Sequence, residues 1–195
     1  MVESPLRFVS QNNPAEPALD IFETSIGWFG VVHQNAKICR IKFGFECRAQ
    51  VIEAFDPKIR VDSTRCVSYC WRTALTDYAS GKPVLFDEIE VDSSWMTPFQ
   101  KRALFQCSRI PYGATATYGE LAQCAGSPGA ARAVGAAMRT NRCPIIIPCH
   151  RVVGKSDVGG FSASRGVESK QELLEMESAT HLKRSVSHPT QSVLF

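Results

Sequence analysis

Two helix-start signals lie ten residues apart in the second half of the chain, and that spacing leaves the backbone between them little freedom. Thr117 stands at the head of TYGELAQCAG as an N-cap, and Glu120 three residues on completes a capping box. Gly126 ends that helix, since glycine accepts the left-handed conformation a helix terminus often needs. Ser127 then caps a second helix, Pro128 occupies its first turn, and the pattern of SPGAARAVGAAMRTN carries it to about Arg139. Two short helices across a tight glycine-containing turn predict a helix-turn-helix.

The second helix has an unusual face. From Gly129 to Ala137 nearly every residue is Gly, Ala or Val, and Arg132 is the one long side chain in the run. Small residues permit close packing against another helix, or close approach to a nucleic-acid backbone or groove. Arg132, Arg139 and Arg142 favour the second use, with Ala130, Ala131 and Gly135 as the positions that leave room for it. The charge distribution agrees. Residues 101 to 165 hold nine Lys and Arg against Glu120 and Asp157, a local charge of +7 in a chain whose net charge is +3. Such a basic segment fits a polyanionic partner, and a solvated basic face would have the same composition.

Upstream, residues 1 to 18 are polar and proline-rich and predict a loose arm. Residues 20 to 45 alternate as two or three strands of an antiparallel meander, with Gly27 and QNAK as turns. Residues 48 to 55 and 68 to 80 have helical periodicity, and Gly81 with Pro83 stops the second helix before a short strand, VLF. Thr97 and Pro98 open a further helix over TPFQKRALFQCSRI. The last predicted helix is VESKQELLEMES, residues 167 to 178, after which periodicity is lost. The expected division is an arm (1–18), an N-terminal unit (19–92), a C-terminal unit (93–180) and a tail (181–195).

Eight cysteines in 195 residues raise the question of disulfides, but the N-terminus has no apolar leader core and no stretch is long enough to span a membrane. Free thiols in a reducing compartment are the expectation, hence a cytoplasmic location, or a nuclear one in a eukaryote. Cys66 and Cys70 are four apart in CVSYC, yet no second pair or histidine completes a zinc set by spacing, so no metal is expected.

The chemistry centres on IIIPCHRVVGK, residues 145 to 155. The isoleucines predict a short buried strand that Pro148 ends, leaving Cys149 at the rim of an apolar site. Desolvation raises the pKa of such a thiol, while His150 or Arg151 would draw it down. Three readings compete: a Cys–His hydrolase, a bystander thiol in a pure DNA-binding module, and an irreversible acceptor. In extended backbone, neighbours point to opposite faces, so His150 would reach the thiol only through a bridging water. No oxyanion-hole signature accompanies the pair, which weighs against hydrolysis.

The segments IPYGATATYGELAQCAG, AARAVGAAMRTN, IPCHRVVG, VGGFS and SKQELLEME, in this order and spacing, resemble the O6-alkylguanine-DNA alkyltransferases, also called methylated-DNA–protein-cysteine methyltransferases. The match is dense from about Thr97 to Ser178; before that, only the order of elements is compatible. The resemblance implies an α+β protein. Its N-terminal unit would be a ribonuclease-H-like small sheet with helices, and its C-terminal unit a mostly helical, winged-helix-like domain carrying the helix-turn-helix. The implied function is repair of O6-alkylguanine, and of O4-alkylthymine, by stoichiometric transfer of the alkyl group to an internal cysteine. No cofactor is implied.

The same resemblance assigns roles. Cys149 would be the acceptor and His150, through water, its base, with Glu177 orienting the histidine. Tyr118 would turn the phosphate of the flipped nucleotide and donate to N3 of the base. Arg132 would fill the vacated stack, and Asn141 would brace the turn before the reactive segment. Ser162, Phe161 and the backbone around Val152 would hold the guanine. Arg139, Arg142 and Arg151 join the DNA-facing set, and the partner would be duplex DNA met by a monomer in the minor groove. A thioether has no acyl carbon for water to attack, so the protein is used once per lesion. The family commonly has tyrosine where this chain has Phe161, which keeps an aromatic wall and removes a hydroxyl donor. Two rivals remain: a lesion binder, against which the presence of Cys149 argues, and a regulator that uses the helix-turn-helix without chemistry.

Overall fold

The computed structural model describes residues 7–9, 16–61, 70–161, 163 and 165–187. Strands β1 (Arg7–Val9), β2 (Ala18–Thr24), β3 (Gly27–Gln34) and β4 (Lys37–Phe45) lead to helix α1 (Arg48–Glu53), strand β5 (Arg60–Val61), helix α2 (Cys70–Ala79) and strand β6 (Glu90–Asp92). The second half comprises α3 (Pro98–Ser108), β7 (Ala116–Thr117), α4 (Tyr118–Cys124), α5 (Ala131–Arg139), a short 3-10 turn (Cys149–Arg151), β8 (Val152–Val153) and α6 (Val167–Ser187). It is a mixed α+β architecture of one small sheet and packed helices.

The meander is as expected. β2, β3 and β4 pair antiparallel, β5 lies parallel to β2 on one side, and β6 then β1 continue the sheet beyond β4. Asn35 and Ala36 both have positive φ, the geometry of a two-residue hairpin whose twist matches that of its strands. The first hairpin turns at Ser25–Ile26, and Gly27 follows at φ +98, where an added Cβ would lie 2.8 Å from the Phe45 carbonyl. Register places Phe22 opposite Phe29 and Phe29 opposite Phe43. Their rings stack at 5.5 and 5.3 Å. Burying each such side chain is worth about 1.5–3 kcal/mol. On the other face α1 sits close over Gly30, where a Cβ would come within 2.4 Å of the Phe55 ring.

One apolar cluster runs from this sheet into the helical half, including Phe29 and Leu75 on one side and Leu104, Leu121, Val134 and Ile147 on the other. A backbone bond of 2.7 Å from Ile41 N to Arg142 O ties β4 to the segment after α5. The site described below is therefore built from both halves.

Several expectations need correction. Residues 7–9 of the expected arm form an edge strand on β6. VLF is not a strand: Leu85 faces solvent, and the ladder position beside β4 is taken by β6, through Val91 opposite Ile38. The helix α5 starts at Ala131 rather than at Ser127, because Gly129 at φ +83 interrupts any helix begun earlier. The last helix continues to Ser187; residues 179 to 187 lack proline and glycine, so nothing local stops it. Among the described residues no helix is long and apolar enough to cross a membrane, and no group of three metal-ligating side chains occurs. Cys66 and the side chain of Cys70 lie outside the described residues.

Candidate active site

The two capping boxes hold α3 and α4 where the sequence puts them. Thr97 accepts from Gln100 N and Thr117 from Glu120 N, while Gln100 and Glu120 return bonds to the cap N–H groups at 2.8 and 2.7 Å. α4 and α5 then pack as the expected helix pair. β7, just ahead of α4, pairs with β8, just after Cys149, and so couples the helix pair to that segment.

Ile145, Ile146 and Ile147 are buried, as expected, but they form a turn instead of a strand. Ile145 has φ +74, a left-handed conformation that is strained for a β-branched residue. Asn141 holds this turn. Its Nδ2 donates to Ile147 O at 2.9 Å and to Cys149 Sγ at 3.1 Å, and its Oδ1 accepts from Cys143 N at 3.0 Å. The residue expected to brace the turn thus also touches the sulfur. Burial raises the Cys149 thiol pKa; the Asn141 bond, the Lys170 charge and the local backbone N–H groups oppose it without cancelling it. At neutral pH the resting group is a thiol, and a base is needed to make the nucleophile.

His150 is the adjoining titratable group. Cys149–Arg151 is a 3-10 turn, not extended chain, and it directs the fully buried imidazole at α6. Nε2 lies 2.8 Å from Glu177 Oε1 and 3.1 Å from the Tyr78 hydroxyl. Burial lowers the His150 pKa, and although Glu177 pulls the other way the ring stays neutral near pH 7. A carboxylate can only accept, so we assign the single ring proton to Nε2. Nδ1 is left with its lone pair, buried and without a hydrogen-bond partner.

Glu177 is the hub of this network. It accepts from Tyr78 Oη at 2.7 Å, from Gly113 N at 3.0 Å and from Arg151 Nε and Nη2 at 3.0 and 2.9 Å. Burial would raise its carboxyl, but His150 and Arg151 overrule that and hold it at about 2. Arg151, expected on the DNA face, is instead buried, bonded to Glu177 and to Ile110 O at 2.7 Å. A positive charge in a basic segment reads as solvated; its partner, 26 residues away on α6, was not visible as one in sequence.

A cleft of about 370 Å³ opens over the sulfur, walled by Tyr118, Arg132, Gly135, Arg139, Cys149 and Phe161 among others. Tyr118 reaches it from the first residue of α4, Arg132 and Gly135 from α5. Gly159, at φ +71, lets the loop pass the tyrosine: a Cβ there would be 2.6 Å from Tyr118 Oη. Ala130 caps α5 through its backbone, with Ala131 in the first turn. Val152 is buried in β8 and its carbonyl accepts from Lys170 Nζ at 2.6 Å. Ser162 lies outside the described residues. Arg142 is exposed, its guanidinium 5.0 Å from the Trp95 ring centroid.

Sequence reasoning missed Tyr78 and Lys170. Tyr78 comes from α2 in the other half of the chain, 72 residues before the histidine it meets. Lys170 is fully buried and close enough to the thiol to lower its pKa. Its position in SKQELLEME, inside an otherwise amphipathic helix, was the available signal.

A buried thiol with a neutral, oriented imidazole next to it, under a cleft formed by a helix-turn-helix, defines a class: proteins that bring nucleic acid to a reactive cysteine. The model of the 6-O-methylguanine DNA methyltransferase DNA-binding domain matches residues 98–179. A probable methylated-DNA–protein-cysteine methyltransferase of Acanthamoeba polyphaga mimivirus is 40% identical over 105 residues, covering 54% of this chain and 68% of that protein. The methylated-DNA–protein-cysteine methyltransferase of Mycobacterium tuberculosis is 44% identical over 106 residues, covering 54% of this chain and 62% of its own length. A crystal structure of the Mycobacterium tuberculosis protein OGT in complex with DNA superposes with a TM-score of 0.69 at 30% identity, covering 83% of this chain and 93% of that one. The chain belongs to the methylated-DNA–protein-cysteine methyltransferases, whose function is alkyl transfer to an internal cysteine in a single turnover. The structural likeness reaches well beyond the sequence alignments, so the N-terminal kinship resides in fold more than in residues.

Proposed function

We propose that this protein repairs O6-alkylguanine, and O4-alkylthymine, in duplex DNA by moving the alkyl group to Cys149. The observation that carries the proposal is the arrangement around His150: Nε2 bonded to Glu177, Nδ1 buried and unpartnered, and Cys149 adjacent under an open cleft. A water between Nδ1 and Sγ would take the thiol proton as the sulfur attacks. His150 then need only generate thiolate, since the thioether product has no deacylation step to drive. Asn141 donates to the sulfur and steadies the turn, and Glu177 fixes the imidazole tautomer. Tyr118, its hydroxyl pKa raised by burial, is poised to donate to the leaving base as charge develops.

Arg132 projects from the exposed side of α5 beside the cleft, the right place for a side chain that fills the gap left by an extruded base. Ala130, Ala131 and Gly135 would let the minor-groove backbone approach, with Arg139 and Arg142 meeting phosphate and Phe161, Val152 and Ser162 holding the base. Binding of this kind is salt-sensitive and weakly sequence-specific. The meander with β5 parallel to β2 supports a ribonuclease-H-like N-terminal unit, and the helix pair with β7 and β8 supports a winged-helix-like C-terminal unit dividing near residue 92. Cys47, Cys107, Cys124, Cys143 and Cys149 are thiols outside any disulfide, which supports a reducing, cytoplasmic or nuclear setting. We take the working unit to be a monomer.

Intact mass after incubation with an O6-methylguanine oligonucleotide, with peptide mapping, tests the proposal. A gain of about 14 Da on Cys149 alone is expected. Binding without gain would make this a lesion binder or regulator.

A further inference from the structure

Arg72 is paired with Asp20, Arg151 with Glu177 and Arg165 with Glu172, but none of the described ion pairs uses Arg40 of β4 or Arg142 of the turn after α5. Both are exposed, and both line a second cleft, of about 540 Å³, that meets the first at Cys149, Phe161 and Arg139 and extends over β4. No aspartate or glutamate is among its described lining residues. The two arginines come together because Ile41 N donates to Arg142 O at 2.7 Å, which seats the residue after Arg40 on that turn. Both guanidiniums act on the buried Cys143 thiol, drawing its pKa down against the burial that raises it. Lys42 is engaged by α1, its Nζ donating to Ala54 O, which leaves Arg40 as the cation of β4 that faces solvent.

α5 brings its own cations toward the same place. Arg132 and Arg139 are seven residues apart, two helical turns, so they share a face and stand about 10 Å apart along the axis, roughly three base steps of a duplex. Arg142 and then Arg40 continue that series past the end of the helix and onto the sheet. Like charges gathered on one face repel one another, and a phosphate backbone is the partner that relieves the repulsion. We infer that the N-terminal sheet is part of the DNA-holding surface: Arg40, on the exposed side of β4, takes a backbone phosphate next to the one met by Arg142, outside the cleft that receives the base. This rests on the DNA reading above and extends it to the half of the chain that the helix-turn-helix leaves out. A guanidinium suits the position, since its planar fork can hold two phosphate oxygens at once. The contact is the same before and during transfer, so it contributes affinity and not rate.

The test uses the full chain and one duplex, with and without O6-methylguanine. Binding is read by fluorescence anisotropy across a salt series, and transfer by intact mass at saturating DNA. Arg40→Gln should weaken binding of both duplexes about three- to tenfold at about 0.1 M salt and reduce the slope of log K against log salt by about one, the signature of one lost phosphate contact. The transfer rate at saturation and the melting temperature should stay at wild-type values. Arg40→Lys, which keeps the charge, should retain the slope. Arg60→Gln removes the same charge from an exposed position on β5, which β2 and β3 separate from β4, and should change neither affinity nor slope. An unchanged slope for Arg40→Gln would overturn the inference, and so would an equal loss for Arg60→Gln, which would make the effect one of net charge. Slower transfer at saturation would also overturn it, because Arg40 would then belong to the reacting site. Failure of the wild type to bind the duplex would remove the DNA reading itself, and that control distinguishes the two failures.

Discussion

Replacing Glu177 by Gln keeps the shape and removes the charge at the centre of the buried network. The carboxylate accepts from Tyr78, Gly113, His150 and Arg151, and its pKa is about 2 in the folded chain against roughly 4.3 for a free glutamate. At about 1.4 kcal/mol per pH unit, that gap corresponds to about 3 kcal/mol of stability at neutral pH. Folding lowers this pKa, so the contribution is complete above the unfolded value and is lost as pH falls through about 2. His150 is held neutral by burial, and its own contribution begins to fail higher, as pH drops below about 6.5. An independent argument gives a similar size: breaking a buried pair leaves Arg151 uncompensated, at about 3–5 kcal/mol. Against a total of about 5–15 kcal/mol this is severe but survivable. Urea unfolding at pH 7 should show the Glu177→Gln midpoint about 2 M lower. As pH falls from about 4.3 towards 2 the wild type should lose the Glu177 contribution that the variant lacks, so the gap between their midpoints should narrow. A variant within about 0.5 M of wild type at pH 7 would refute the reasoning, as would parallel pH profiles.

Asn141→Ala removes the donor to Cys149 Sγ and the brace on Ile147 O. Iodoacetamide alkylation of Cys149 should then slow about tenfold at pH 7.5 and recover at higher pH, because a hydrogen bond to a charged sulfur contributes about 1.5–3 kcal/mol. Gly159→Ala places a Cβ against Tyr118 Oη at a left-handed φ. Methyl transfer should fall more than about tenfold while thermal stability changes by only about 1–2 kcal/mol, checked by pairing single-turnover kinetics with melting curves. Tyr78→Phe deletes the hydroxyl bonded to Glu177 and set against His150 Nε2. It should destabilise the fold by about 1 kcal/mol in urea and lower the transfer rate without changing DNA affinity.

What the sequence disclosed was local. Thr97 with Gln100 and Thr117 with Glu120 can be read as caps because both partners lie within one turn. The QNAK hairpin is legible for the same reason. The start of α5 was misplaced because Ser127 and Pro128 look like a cap and a first turn, while the left-handed φ of Gly129 depends on how the connection must bend. The isoleucine run reported burial correctly and secondary structure wrongly. Apolar β-branched residues show that a segment is dry, and a tight turn bracketed by Pro144 and Pro148 can be as dry as a ladder strand.

The reactive centre shows the same contrast between local and distant information. Cys149 and His150 stand out because two reactive side chains adjoin at the end of an apolar run, but what tunes them comes from elsewhere. Tyr78 arrives from α2, Glu177 and Lys170 from α6 and Asn141 from the turn after α5. Arg151 is the instructive case. Placed by charge alone it belongs on the DNA face, yet its guanidinium holds the carboxylate that orients the histidine. Under the proposed transfer, the network also gives a reason why adjacency would suffice. Glu177 takes Nε2 and turns the imidazole so that only Nδ1 remains available as a base. A hydrolase would need that histidine to return a proton to a leaving group and then activate a second water. A thiol that reacts once needs a proton removed once, and a neutral imidazole locked in a single tautomer is sufficient for that.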